Sequence, residues 1–253
     1  WSPLHVTADL APILHKVGHT LTRLPAPSSL LLFGGANLQR AASTVTNDAW
    51  VLRFTDSGAL FAAHRLFASG EPPSPRSHHS ATAVGRWICV VGGYGSAGRC
   101  LRDVHLLDTC EWRWSRPHFG GSPPPALARH TATLLRGAIH VFGGASESSR
   151  ARGRAQLHLL RFVEPSAPDR LKPSDTLNTN SAGAEASVAV TAHWELVEPR
   201  GARPAARADH AAVACCGILY VFGGRRASRG GSDTERPTSE LFAYDPTSAR
   251  WAL

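Results

Sequence analysis

The sequence predicts an all-β chain folded as a β-propeller of four-stranded antiparallel sheets, and three observations predict it. Four short apolar stretches each stop on two glycines, SLLLFGG, WICVVGG, AIHVFGG and LYVFGG, with the pairs at Gly34-Gly35, Gly92-Gly93, Gly143-Gly144 and Gly223-Gly224. A histidine stands 13 residues before three of the pairs (His79, His130, His210), and His19 stands 15 before the first. After each pair come a polar loop and a second apolar run, DAWVLRF, DVHLLD, QLHLLRF or ELFAYD. The pairs recur at intervals of 58, 51 and 80 residues, so the repeat is a unit of about 50 residues with insertions.

Each unit reads as four strands. The first opens at the histidine (HTLTRL, HSATAV, HTATLL, HAAVAC), the second ends on the glycines, and the third is the run after the loop. The fourth carries a tryptophan: Asp103 to Trp114 and Glu240 to Trp251 are both 11 residues, and Trp114 and Trp194 each lie 16 residues before the next repeat histidine. Short runs rich in Val, Leu, Ile and Phe between Gly, Pro, Ser and Arg are strand signals, and no stretch sustains a helical period. One such unit leaves both sheet faces apolar, so the units must pack on one another, which radial stacking achieves. The glycines stand where an inner strand bends and the next unit packs close, which calls for a residue without Cβ. A histidine at one fixed point of every repeat is expected to make the same hydrogen bond in each unit rather than to bind metal. The units run over about 17–66, 76–117, 127–199 and 207–253, within a single domain of 1–253.

The chain resembles a kelch-repeat protein over residues 17 to 253. The double glycines, the aromatic third-strand positions (Trp50, Phe242, Tyr244) and the set Trp114, Trp194 and Trp251 carry the resemblance. Two departures are local: the first unit has Ala63 or His64 in place of the tryptophan, and the third has Gln156 where the others have Asp48, Asp103 or Glu240. The resemblance implies a kelch-type propeller, which usually closes with more blades than four. A partial propeller is therefore expected, with residues 1–4 as the outer strand of a preceding blade. It also implies protein-interaction roles such as substrate adaptor in ubiquitin ligation, cytoskeletal or trafficking scaffold, or phosphatase-linked recognition.

Kelch enzymes of the galactose oxidase kind need a tyrosine pair, two histidines and a cysteine cross-linked to tyrosine. This chain has only Tyr94, Tyr220 and Tyr244, two of them inside repeat strands, and no E-x-x-x-D-x-x-x-H run, G-x-S-x-G, Walker loop or C-x-x-C. No catalytic residue, cofactor or metal is expected; a kelch enzyme of that kind is the alternative.

The net charge is +8, and of 27 basic residues only Lys16 and Lys172 are lysine. In a propeller the loops joining strands two to three and four to one share a face. The first set holds Arg99, Arg102, Arg150, Arg152, Arg225, Arg226 and Arg229, the expected partner-binding residues. The second set adds Arg76, Arg116, Arg129, Arg200, Arg203 and Arg207. Such a rim attracts an acidic or phosphorylated protein segment. A basic propeller for nucleic acid is a further alternative, but these loops lack interleaved aromatics for base stacking.

Five cysteines without metal spacing fit a cytoplasmic or nuclear protein; Cys215 and Cys216, as neighbours on a strand, should face opposite ways. No apolar run is long enough for a membrane helix, so no membrane partner is expected. Residues 163–192, rich in Pro, Ser, Asn and Thr, read as a disordered insertion on the face opposite the arginines.

Overall fold

The computed structural model describes residues 15–37, 44–57, 60–146, 155–163, 191–227 and 235–253. The expectations for residues 1–4, Arg150, Arg152, Arg229 and most of the insertion lie outside them. Four antiparallel sheets follow in chain order. The first comprises Thr20–Arg23, Ser29–Phe33, Ala49–Phe54 and Leu60–Leu66. The second comprises Ser80–Val84, Trp87–Tyr94, Cys100–Asp108 and Arg113–Ser115. Thr131–Leu135, Ala138–Phe142, Leu157–Val163 and Thr191–Val197 form the third. Ala211–Cys215, Ile218–Phe222, Leu241–Asp245 and Arg250–Ala252 form the fourth.

Each strand pairs with its sequence neighbours, and the first strands of successive sheets approach one another at the centre. Second strands of the first three sheets are buried on both faces; Ala138–Phe142 is buried at every position. That explains their continuous apolar runs, because a strand covered on two sides has no solvent face to alternate toward.

Three apolar clusters fill the gaps between neighbouring sheets. Leu31, Phe33 and Val51 meet Ile88, Val90 and Trp114; Cys89, Val91 and Leu106 meet Ile139, Leu160 and Trp194; Phe142 and Leu157 meet Leu219, Val221 and Trp251. The tryptophans close these layers, with Phe33–Trp114 and Phe142–Trp251 ring centroids 5.2 and 5.3 Å apart. In the first sheet the position opposite Leu52 is Ala63, equivalent to Trp114 opposite Leu107.

The second, third and fourth sheets each gain a fifth, parallel outer strand that the repeat reading missed: Ser69–Gly70, His118–Gly121 and Arg200–Gly201. The chain leaving one fourth strand crosses to run beside the next. Gly70, Gly121 and Gly201 have φ of 80°, 83° and 84°, and a Cβ on any of them would strike the carbonyl of Trp114, Trp194 or Trp251. A signal was present, since each of these glycines stands nine residues before a repeat histidine, with a proline three residues after it (Pro73, Pro124, Pro204).

The ends of the 163–192 insertion require correction. Val163 pairs with Thr191 and Phe162 with Ala192, so the ladder consumes residues that composition assigned to disorder. Ala192 is fully buried beside Trp194 and Phe119, and this packing fixes it.

Among the described residues nothing covers the outgoing face of the fourth sheet. Phe33, Val91 and Phe142 are at most 2% exposed beneath the next sheet, whereas Phe222 at the same position is 52% exposed, with Leu241 and Val213 beside it also exposed.

Candidate functional site

The face at the start of the first strands is built by one device used four times. The loop after each glycine pair folds back onto the segment before its own sheet. Val17 pairs with Ala36, Ser77 with Tyr94, Ala128 with Ala145, and Ala208 with Arg225. Inside these ribbons the residue before each repeat histidine takes a positive φ: Gly18, His78, Arg129 and Asp209, at 65°, 53°, 58° and 56°. Their backbones bond in sequence around the centre. The His78 amide donates to Gly18, Arg129 to His78 and Asp209 to Arg129, at 2.7, 2.9 and 3.1 Å.

Each repeat histidine ties its sheet to the one before. The His79, His130 and His210 Nε2 atoms lie 3.0, 2.9 and 2.8 Å from the hydroxyls of Thr20, Ser80 and Thr131, each the residue that follows the preceding unit's histidine. The Nδ1 atoms of all three are buried without a partner, so the proton belongs on Nε2, which donates to the hydroxyl. Burial, reinforced by neighbouring cations at His79 and His210, lowers these groups to about 3, 4 and 3 for His79, His130 and His210. They stay neutral and are spent on structure.

The glycine pairs make room for them. A Cβ on Gly143 would lie 2.6 Å from His210 Cε1, and one on Gly144 2.8 Å from Cβ of His130 in its own sheet. The second glycine also donates to the next unit: Gly35, Gly93 and Gly144 bond the carbonyls of Arg76, Leu127 and Arg207.

Two arginines expected on the rim are instead buried. Arg76 and Arg207 are fully enclosed. Arg76 grips both carboxylate oxygens of Asp103 at 2.8 Å and donates to the Gly92 carbonyl at 2.9 Å. Arg207 reaches Glu240 at 2.8 Å and the Gly223 carbonyl at 2.9 Å. In the first unit Lys16 meets Asp48 at 3.0 Å. The cation always stands three residues before the repeat histidine, a spacing the sequence displayed. Burial pushes the Asp103 carboxyl up, but hydrogen bonds from Arg76 and His105 outweigh it and hold it well below the usual range. Glu240 is lowered chiefly by the Arg207 hydrogen bond. The third unit replaces both partners at once, with Leu127 for the cation and Gln156 for the acid, and Leu127 joins the apolar core.

Other rim arginines are also engaged. Arg116 lies 3.6 Å from Asp103, Arg129 3.3 Å from Asp209, Arg203 3.4 Å from Glu198, and Arg226 3.3 Å from Glu240. Arg99, Arg102, Arg225 and Arg226 are exposed on this face, and among the described residues Arg99 and Arg102 make no ion pair. Between the second and third sheets, Arg102 overlooks a groove of about 760 Å³. Arg116 shares its wall with Phe119, Pro124, Trp194 and Leu196. Such a groove accepts an apolar side chain while its rim accepts negative charge. Among the described residues no three His, Cys, Asp or Glu side chains gather as a metal group, and no helix is long and apolar enough to cross a membrane.

Comparison with known proteins agrees with this architecture. The family model of the KLHDC2/KLHL20/DRC7 Kelch-repeats domain matches residues 18–252. Human Kelch domain-containing protein 3 is 27% identical over 258 residues, covering 99% of this chain and 56% of that protein. Adagio protein 3 of Arabidopsis thaliana is 30% identical over 254 residues, 97% of this chain and 34% of its own length. The serine/threonine-protein phosphatase BSL2 of Arabidopsis thaliana is 28% identical over 263 residues, 88% of this chain and 26% of its own. The chain thus spans 56% or less of the length of these curated relatives. With that match running through all four stacked sheets, the chain belongs to the kelch-repeat family of β-propeller proteins.

Proposed function

We propose that this chain is a non-catalytic interaction module that presents arginines from one propeller face to an acidic or phosphorylated protein segment. Kelch-repeat domains are in general protein-binding domains, and the finer reading rests on one observation: among the described residues Arg99 and Arg102 stand exposed and without ion pairs, Arg102 lining an apolar groove, while other cations of the face are paired with acids. An unpaired guanidinium offers a planar fork to carboxylate or phosphate and raises encounter rates at low salt. Arg225 and Arg226 extend the same charge onto the ribbon of the fourth unit. Arg150, Arg152 and Arg229 belong to the same loops by sequence. The five cysteines, none in a disulfide, fit a reducing cytoplasmic or nuclear setting.

The test is binding to three equal-length peptide pools, acidic, phosphorylated and neutral, by the native chain and by Arg99→Glu/Arg102→Glu. Preference for the charged pools, lost on reversal with folding intact, is expected. Equal binding to all three pools, or binding that survives reversal, rejects the reading.

A further inference from the structure

The turn between the first two strands of the fourth sheet lies at the end of the molecule opposite the arginines, and it carries two adjacent cysteines. Side chains of neighbours within a strand diverge, which is why the sequence pattern set them apart. The strand stops at Cys215, however, and the chain reverses through Cys216 and Gly217 at φ of 50° and 78°. Two consecutive positive φ values make a primed hairpin turn, and the turn swings the second side chain back toward the first. The two Sγ atoms lie 3.7 Å apart, and both residues are exposed. The third sheet makes the same turn with Arg136-Gly137, and the Arg136 guanidinium rests against Gly217, 3.0 Å from where a Cβ there would sit. The Cys215 thiol donates to Cys216, and that hydrogen bond, with charge on Cys216, raises it above the ordinary thiol range.

The other thiols offer no such pair. Cys89 is buried, Cys100 donates to the Ala145 carbonyl, and Cys110 stands exposed without a second thiol beside it.

We propose that Cys215 and Cys216 form a vicinal dithiol site that chelates a soft, thiophilic centre at a bent sulfur–centre–sulfur angle, with trivalent arsenic as the class it takes. Two sulfurs bonded at about 2.3 Å to a pyramidal arsenic(III) centre, with a bond angle of about 100°, sit about 3.5 Å apart, whereas a linear centre would need about 4.6 Å. The observed 3.7 Å lies close to the bent case and far from the linear one, a difference that small side-chain rotations close. With a monosubstituted arsenic(III) oxide, two As–S bonds form and the arsenic–oxygen bonds break. The two thiol protons leave with the oxygen as water, and nothing is oxidised or reduced.

The experiment titrates the 253-residue chain with phenylarsine oxide, reading intact mass and remaining free thiols. One equivalent should remove two thiols, resist excess monothiol and be released by a small dithiol. Cys215→Ser and Cys216→Asn should each weaken capture by about a hundredfold, as loss of a second tethered ligand does. Asn suits the positive φ at 216 and so preserves the turn. Cys110→Ser should change nothing. Capture that consumes a single thiol, or that persists in Cys215→Ser and Cys216→Asn, overturns the site.

Discussion

His130 joins two sheets through one nitrogen, and the cost of losing it can be set out. Its Nε2 bonds Ser80, and its ring fills the space that Gly92 leaves open, 3.3 Å from where a Cβ would stand. His130→Ala should cost about 2–4 kcal/mol by urea unfolding, from the cavity and the lost bond together. Ser80→Ala should cost about 1 kcal/mol. The glycines allow a sharper contrast. Gly143→Ala forces a Cβ onto both His210 and the Arg207 carbonyl, while at Gly223 the nearest obstacle is the Thr238 carbonyl at 3.2 Å. Both have positive φ, so both pay about 1 kcal/mol for conformation, but Gly143→Ala should lose at least about 2 kcal/mol more. The repeat spacing made the need for these glycines legible, but not which neighbour each one faces.

The same histidines set a pH dependence. Their folded values lie below the unfolded 6.5, so below that pH the unfolded chain takes up protons that the folded chain refuses. Stability is therefore full above about pH 6.5 and falls on acidification toward about pH 3, by up to about 1.4 kcal/mol per pH unit for each histidine. Urea midpoints at pH 7 and pH 5 should differ in that direction, and His130→Gln should reduce the difference by about a third. Equal midpoints would mean that these rings are not buried neutral.

At the scale of elements, the buried cation–acid pair is the fastening between the start of a sheet and its third strand. Removing one partner leaves the other without its counter-charge, so Arg76→Leu should cost about 3 kcal/mol or more. The third unit shows that both can be exchanged together. Leu127→Arg alone should destabilise strongly, and adding Gln156→Asp should recover about 1–3 kcal/mol, measured as the coupling in a double-mutant cycle. Element positions were largely legible from the apolar runs and the glycine pairs. The parallel fifth strands were not, because two to four residues carry no periodicity of their own. Nor was the fate of Arg76 and Arg207, since their acids lie 27 and 33 residues away and a paired arginine reads in sequence like an unpaired one. The insertion ends were misread for a related reason: strand pairing between Val163 and Thr191 depends on the partner, not on local composition.

At the scale of the whole molecule, the four sheets bury their faces against one another and, among the described residues, leave one face of the fourth open, while the charged loops gather at one end. A net charge of +8 says little about that end until the paired cations are set aside. What remains is a small set, Arg99 and Arg102 foremost, with Arg102 at the edge of a groove with an apolar wall. A phosphate or carboxylate seated there gains a forked contact while an adjoining side chain enters the groove. The measurement that bears most directly on this account is the affinity for a peptide selected from the charged pools, at two ionic strengths, for the native chain and Arg99→Glu/Arg102→Glu. The account predicts tight binding that weakens with salt and a loss of tenfold or more on reversal, with the urea midpoint unchanged. Affinity independent of both salt and reversal would contradict it, and would place the binding surface elsewhere on the propeller.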